Sequence, residues 1–446
     1  MKRLIDYYLL EWKNKPNHKP LLLRGARQVG KTYAVRTLAK TFENYIELNL
    51  ESNTLARKIL SEDLNIERIL LQLSESFGQL TPGTTLLFID EIQHVPQAII
   101  ALRYFYEFVP NLHVIAAGSL LDFAIEEVGL PVGRVTIRYM YPLSFLEFLA
   151  ALGHSHWVLA IISDKPVFEE LHKQIINLLS MYLAIGGMPA AVNNWQEAKN
   201  SRAVKETHTE ILTAYVGDFN TYAKKHQQKY LSLIFDRAMQ QLARKFMFAR
   251  IGEYKKRELE PALLLLEKAG IIYPIYENSG QGIPLGSDVN FDDFKVIFLD
   301  IGLAQAQLKF DISSWLINPQ ETIVNQGELV EAFIGQELLA YSDPIKKEQL
   351  YYWRKKVRGS DCEVDYLTQL GQKIIPIEVK SGRSTRLLSM HRFLETHPKS
   401  PYGIRFWANT ETKEASLHSL PLYAVAKPFL NEQSYLKQAL MFLITD

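Results

Sequence analysis

Eight residues, Gly25-Ala26-Arg27-Gln28-Val29-Gly30-Lys31-Thr32, constrain this chain more than any other feature. They match G-x-x-x-x-G-K-[ST] at every fixed position. They lie between an apolar run, Lys19-Pro20-Leu21-Leu22-Leu23, and a helical pattern from Thr32 to Lys40. A strand, a glycine turn and a helix in that order let successive backbone N–H groups, and the positive end of the helix, face phosphate oxygens. In such a loop Lys31 reaches the β- and γ-phosphates, and the Thr32 hydroxyl ligates Mg²⁺. Gly30-Lys31 is the only Gly-Lys pair in the chain, so a second loop of this kind is absent.

A phosphate loop needs partners. Leu86-Leu87-Phe88-Ile89-Asp90-Glu91 supplies an apolar strand ending in two carboxylates, at the strand end where open parallel sheets bind ligands. Asp90 is expected to hold the Mg²⁺ shell and Glu91 to polarise an attacking water as general base. The bland alternative is that the pair starts a surface helix. A further strand, Val114 to Ala117, ends in Gly118-Ser119. Ser119 could contact the γ-phosphate or water, or cap a helix starting at Leu120 with Asp122 in its first turn. Gly133-Arg134 follows in a loop, where Arg134 could stabilise phosphate charge or be an ordinary surface arginine. Short apolar strands, including Tyr45–Leu50 and Thr85–Ile89, alternate with helical patterns at about 56–78 and 97–108. That alternation predicts a parallel sheet covered on both faces.

Length and composition set the frame. A chain of 446 residues is too long for one ordinary core. Fifty Lys plus Arg against 49 Asp plus Glu leave +1, so no global basic field points to nucleic acid. The single cysteine, Cys362, rules out an internal disulfide framework and a cysteine-rich zinc site. No apolar run reaches the ~18 residues of a spanning helix, and the start, MKRLIDYYLLEWKNK, lacks a signal-peptide pattern. The expectation is a cytoplasmic protein with no membrane partner.

From about 165 helices dominate, including Phe168–Ile185 and Lys229–Phe246, broken at Gly186-Gly187-Met188-Pro189. Strand signals return at Lys295–Leu299, Leu350–Arg354, Cys362–Leu367 and Ile374–Val379, with helices near 327–341 and 386–395. GARQVGKT, LLFIDEIQ, AAGS, the Gly-Arg ahead of YPLSFLEF, and IGGMP together resemble the prokaryotic AAA-type ATPases fused to a C-terminal restriction-endonuclease-like domain. The likeness continues through Asp300-Ile301-Gly302-Leu303, Gly327-Glu328-Leu329-Val330-Glu331 and Ile377-Glu378-Val379-Lys380-Ser381. It implies an α/β fold class in three parts. These are a P-loop ATPase parallel-sheet domain over 1–160, a helical and winged-helix-like region over 161–290, and a restriction-endonuclease-like α/β domain over 291–446. It also implies ATP as the nucleotide. In many AAA-type proteins an arginine from a neighbouring subunit completes the site, so an oligomer is possible.

Two regions bear on partners. Residues 221–270 carry eleven basic and five acidic side chains. Glu258 to Ala269 reads as a helix, with Pro261 in its first turn, followed by Gly270 and a strand, Ile271-Ile272-Tyr273. This could be a winged helix on double-stranded DNA, or a solvated basic face. In the C-terminal part, Gly359 to Leu367 precedes Ile374 to Lys380. Asp365, Glu378 and Lys380, with Glu331 from the preceding helix, have the residue types of a metal-dependent phosphodiesterase, Asp365 and Glu378 holding the metal. Such a group can cut DNA, bind nucleic acid, or merely stabilise the fold. The runner-up activity is therefore an ATP-gated DNA nuclease. A third reading is a non-enzymatic switch that binds ATP and a protein partner. His94, close to Asp90-Glu91, could sense nucleotide, but no histidine shows metal-ligand spacing.

Overall fold

The computed structural model describes residues 1–357, 360–382 and 387–445; Gly359 of the expected C-terminal motif lies outside them. Two sheets organise the chain. The first contains β1 (Leu21–Arg24), β2 (Asn44–Asn49), β3 (Thr85–Asp90), β4 (His113–Gly118) and β5 (Thr136–Tyr139). All neighbours are parallel, in the order β2-β3-β4-β1-β5. β3 and β4 are buried along their whole length, which is why they read as unbroken apolar runs. β5, Thr-Ile-Arg-Tyr at one edge, is half-buried and has too little apolar character to be predicted as a strand. With β4 between β1 and β3, the phosphate loop, Ser119 and Asp90-Glu91 all emerge at one sheet edge.

The helical pattern expected over 56–78 is two helices, Thr54–Glu62 and Ile66–Phe77. The break is local chemistry: Asp63 accepts the Asn65 N–H, and Asn65 caps the second helix by accepting from Arg68 N. A helix at the start, Leu4–Asn14, packs against one at the end, Ser434–Ile444, through Tyr7, Gln438 and Phe442.

The middle is helical: Phe145–Ala151, Ser155–Ile162, Glu169–Ile185, Pro189–Ala198, Ser201–Tyr222, Gln228–Ala238 and Lys256–Lys268. The helix expected to run from Lys229 to Phe246 stops at Ala238. Beyond it Ala243 N and Phe246 N donate to Val296 O and Phe294 O, so sheet hydrogen bonds take over from helical ones. The last helix begins at Lys256, not Glu258, which moves Pro261 out of the first turn. Its ring removes one interior helix bond.

The second sheet is mixed. It comprises β6 (Ile272–Asn278), β7 (Val289–Phe298), β8 (Leu350–Val357), β9 (Ser360–Leu370), β10 (Lys373–Lys380), β11 (Gly403–Trp407), β12 (Thr412–Lys413) and β13 (Leu417–Pro421). Their order is β12-β13-β11-β10-β9-β8-β6-β7. The boundary expected at 290 therefore falls inside β7, and β6, read as part of a wing, pairs parallel with β8.

Buried contacts explain several motifs. Leu143 N donates to Gly187 O, and Gly187 N to Asp300 Oδ2 at 2.6 Å. A Cβ on Gly187 would collide with Leu143 O, and one on Gly186, at φ +77°, with Asp300. Phe145 N donates to Glu337 Oε1 at 2.9 Å, and Ile301 N to Gln336 Oε1. IGGMP, DIGL and the start of YPLSFLEF thus meet at one buried junction. One continuous apolar core runs from Leu4 to Leu443, with a second on the other face of the parallel sheet. Among the described residues no single helix is long and apolar enough to cross a membrane.

Candidate functional site

The loop between β1 and helix Lys31–Ala39 has the backbone that phosphate binding asks for. Gly25 (φ +154°), Gln28 (φ +65°) and Gly30 (φ +102°) lie in conformations that side chains disfavour. A Cβ on Gly25 would also strike Met140 O. Ala26 and Val29 are buried beneath the loop, while Arg27 and Gln28 are exposed. Lys31 folds back, Nζ donating to Gly25 O at 2.9 Å and Ala26 O at 2.8 Å. Burial pushes its ammonium down to about 8, against the opposing pull of Glu91 and Asp90.

Thr32 Oγ1 donates to Asp90 Oδ2 at 2.9 Å, so the helix hydroxyl and the strand carboxylate already adjoin. Burial raises the Asp90 carboxyl above its ordinary range, with the Thr32 hydrogen bond opposing. Glu91 follows in a left-handed conformation (φ +52°), its N–H on Asp90 Oδ1. The pair does not simply open a helix: a short 3-10 turn, Ile92–His94, comes first, and His94 is exposed. Gln93, given no role from the sequence, donates from Nε2 to Glu91 Oε2 at 2.5 Å. Its other amide atom is buried and packs where a Cβ on Gly118 would be.

Ser119 stands with Gly25 and Ala26 around one small cavity. It does not cap the next helix, which starts at Leu121 with Leu120 at its N-cap and no side-chain cap. Arg134 is not brought to the loop. It is exposed and pairs with Glu107 at 2.8 Å. Thr136 sits beside Leu21 in the parallel register, so Arg134 lies at the opposite end of the sheet from Gly25.

Two further groups reach the phosphate loop from afar. Arg3, 5% exposed, donates to Val29 O (3.0 Å), Tyr141 O (2.8 Å) and Glu147 Oε1 (2.9 Å). Glu147 also completes a capping box with Ser144 at the start of its helix. From helix Ser201–Tyr222, Asp218 pairs with Arg27 at 2.6 Å and Tyr215 OH donates to Arg27 O. The helical middle therefore grips the loop directly.

The C-terminal carboxylates do gather. Asp365 on β9 accepts the Val379 N–H of β10 at 2.7 Å. On β10, Glu378 Oε1 takes a hydrogen bond from Lys380 at 2.6 Å. Glu331, on helix Gly327–Ala340, is bound instead by Lys295 of β7 at 2.9 Å. The same ammonium stands 2.5 Å from Glu363 of β9. Burial pushes the Glu331 and Glu378 carboxyls up, with Lys295 and Lys380 pulling the other way, while the carboxylates around Lys295 hold it charged against its own burial. Lys295 and Glu363 were missed from sequence. The available signal was a lone lysine inside an apolar strand, Phe294-Lys295-Val296-Ile297-Phe298. Among the described residues, no three carboxylate, histidine or cysteine side chains converge as a metal would require.

Comparisons with known proteins match three separate stretches of the chain. Residues 326–425 match a domain of unknown function, DUF4143, and residues 176–314 another, DUF8612. No curated protein matches the chain significantly. Among solved structures, the chain is similar to the Walker-type ATPase PABY2304 of Pyrococcus abyssi, at 16% identity over 69% of this chain and 95% of that one, TM-score 0.43. It is also similar to PCH-2 of C. elegans, at 15% identity over 46% and 68%, TM-score 0.25. Both scores are too low for a shared fold to follow. Residues 17–149, which hold the loop, Asp90 and Glu91, match the AAA domain family, and the N-terminal part of the chain is an AAA-type P-loop ATPase domain.

Proposed function

We propose that the chain binds ATP with Mg²⁺, hydrolyses it, and uses nucleotide state to move its helical middle against the C-terminal sheet. The observation that carries this reading is the 2.9 Å hydrogen bond between Thr32 and Asp90, beside Lys31 and Glu91, at one sheet edge. Thr32 and Asp90 have the oxygen donors Mg²⁺ prefers and would hold it. When bound, the ion would neutralise charge on the phosphates. The N–H groups from Gly25 to Thr32 cradle the phosphates, and Lys31 swings from Gly25 O and Ala26 O onto the β- and γ-oxygens. Glu91, oriented by Gln93, accepts a proton from the water that attacks the γ-phosphorus in line with the leaving oxygen. Ser119 contacts that water or the γ-phosphate. Within its own chain Arg134 lies at the far end of the sheet from the loop, so a role for it in hydrolysis requires a neighbouring subunit.

Lys31 movement reshapes the loop held by Arg27–Asp218 and Tyr215, which carries nucleotide state to helix Ser201–Tyr222. A winged-helix reading of 228–298 is supported by two helices, the extended stretch at 242–246 and the β6–β7 hairpin. A restriction-endonuclease-like reading of the end is supported by helix Gly327–Ala340, the β8-β9-β10 meander, a helix, and β11 parallel to β10. On these readings the effector is double-stranded DNA, and the chain works in the cytoplasm. Phosphate release from Mg-ATP, with and without double-stranded DNA, tests the proposal. Release stimulated by DNA is expected. Release indifferent to DNA points to a protein partner, and no release points to a switch that binds ATP without turnover.

A further inference from the structure

The C-terminal cluster Glu331, Glu363, Asp365, Glu378 and Lys380 belongs to a unit whose resemblance implies a divalent metal, and its donor set can be tested against that expectation. Lys295 decides the test. It projects from β7, a strand outside the β8-β9-β10 meander, and is 1% exposed. Its ammonium lies 2.9 Å from Glu331 and 2.5 Å from Glu363, with the Tyr352 ring 5.1 Å away. Lys380 takes one oxygen of Glu378 at 2.6 Å, and the Val379 N–H takes one of Asp365.

A divalent ion held by carboxylates needs their oxygens to converge on one point with distances near 2.0–2.6 Å. Here two ammonium groups stand among those oxygens instead. An ammonium offers three donors to carboxylates at hydrogen-bond distance and supplies the positive charge that a divalent ion would otherwise bring. A lysine so buried also does not leave easily. It would have to give up two ion pairs and find no water in exchange, while the carboxylates it left would repel one another.

We infer that Lys295 is the built-in counter-ion of this cluster, occupying the charge position of a divalent metal, so that the C-terminal unit works as a metal-free module. The lysine joins β7 to helix Gly327–Ala340 and β9, tying the sheet's far edge to its centre. Without it Glu331 and Glu363, now held on one ammonium, would be free to turn with Asp365 onto an added ion, with Glu378 adjoining. This inference does not rest on the ATP site.

Titration calorimetry of the full, nucleotide-free chain with Mn²⁺ tests it. Wild type and Asp365→Asn should give the same isotherm, since any weak binding at Thr32 and Asp90 is common to both. Lys295→Met should gain one site at least tenfold tighter than any in wild type, and Lys295→Met with Asp365→Asn should lose it. Glu378→Gln in the wild-type background should again leave the isotherm unchanged. A Mn²⁺ site in wild type that Asp365→Asn or Glu378→Gln removes overturns the inference, as does a folded Lys295→Met with no added site. Should Lys295→Met fail to fold, the wild-type comparison with the two carboxylate variants still decides.

Discussion

Replacing Arg3 with methionine should be costly, and the structure says by how much. Its guanidinium satisfies Val29 O, Tyr141 O and Glu147 Oε1, all in the interior. Two backbone carbonyls deprived of a donor cost about 1 kcal/mol each. Breaking a buried ion pair by removing one partner typically costs about 3–5 kcal/mol, because a charge is left without compensation. Glu147 keeps the N–H groups of Leu4 and Ser144, which moderates that figure. A loss of about 4 kcal/mol is expected, a large share of the about 5–15 kcal/mol that holds a typical domain. Most of the charge penalty should vanish in Arg3→Met with Glu147→Gln, since glutamine is neutral and its one oxygen still closes the capping box, although the Leu4 N–H then loses its acceptor at about 1 kcal/mol. The double variant should thus be about 1 kcal/mol more stable than Arg3→Met alone. Urea titration followed by far-ultraviolet circular dichroism reads this, comparing the first cooperative transition because so long a chain need not unfold in one step. The release of Val29 O should also raise the KM for ATP in both variants. Strict additivity of the two substitutions, with no recovery in the pair, would refute the reasoning.

Two other predictions concern carboxylates. Burial raises Glu337 to about 8 from 4.5, so the folded chain holds a proton that the unfolded chain releases. The favourable contribution is therefore full below about pH 4.5 and is lost as pH climbs to about 8. Glu337→Gln should flatten that slope, gaining up to about 4 kcal/mol on wild type at pH 8 and almost nothing at pH 5, by urea midpoints at each pH. An equal gain at both pH values would contradict it. At the ATP site, Gln93→Glu sets a second carboxylate beside Glu91. The acid limb of the kcat profile should move up by about one pH unit or more, with the KM for ATP little changed; an unmoved limb would remove Gln93 from the account.

What the sequence disclosed tracks how local the physics is. Gly25 to Thr32 and Leu86 to Glu91 were readable because phosphate chemistry dictates residues at fixed spacing, and the apolar runs of β3 and β4 were readable because both faces of those strands are buried. Arg3 was not readable, since its partner Glu147 is 144 residues away and neither residue is unusual in its own neighbourhood. The helix forecast to Phe246 failed for a related reason. Leu242 to Phe246 has helical composition, yet β7 offers it hydrogen bonds from 50 residues downstream. Tertiary pairing outweighed propensity there. Lys295 and Glu363 likewise acquire their meaning only when β7 and β9 adjoin one helix. Gly186, Gly187 and Asp300 were legible as motifs, but their joint role in a buried junction depends on packing.

The measurement that bears most directly on the central claim is a comparison of wild type with Glu91→Gln for ATP binding and for single-turnover hydrolysis in Mg²⁺. The account predicts that the variant binds ATP within a fewfold of wild type and releases phosphate at least a hundredfold more slowly, the scale of a lost general base. Turnover at the wild-type rate in Glu91→Gln would contradict it.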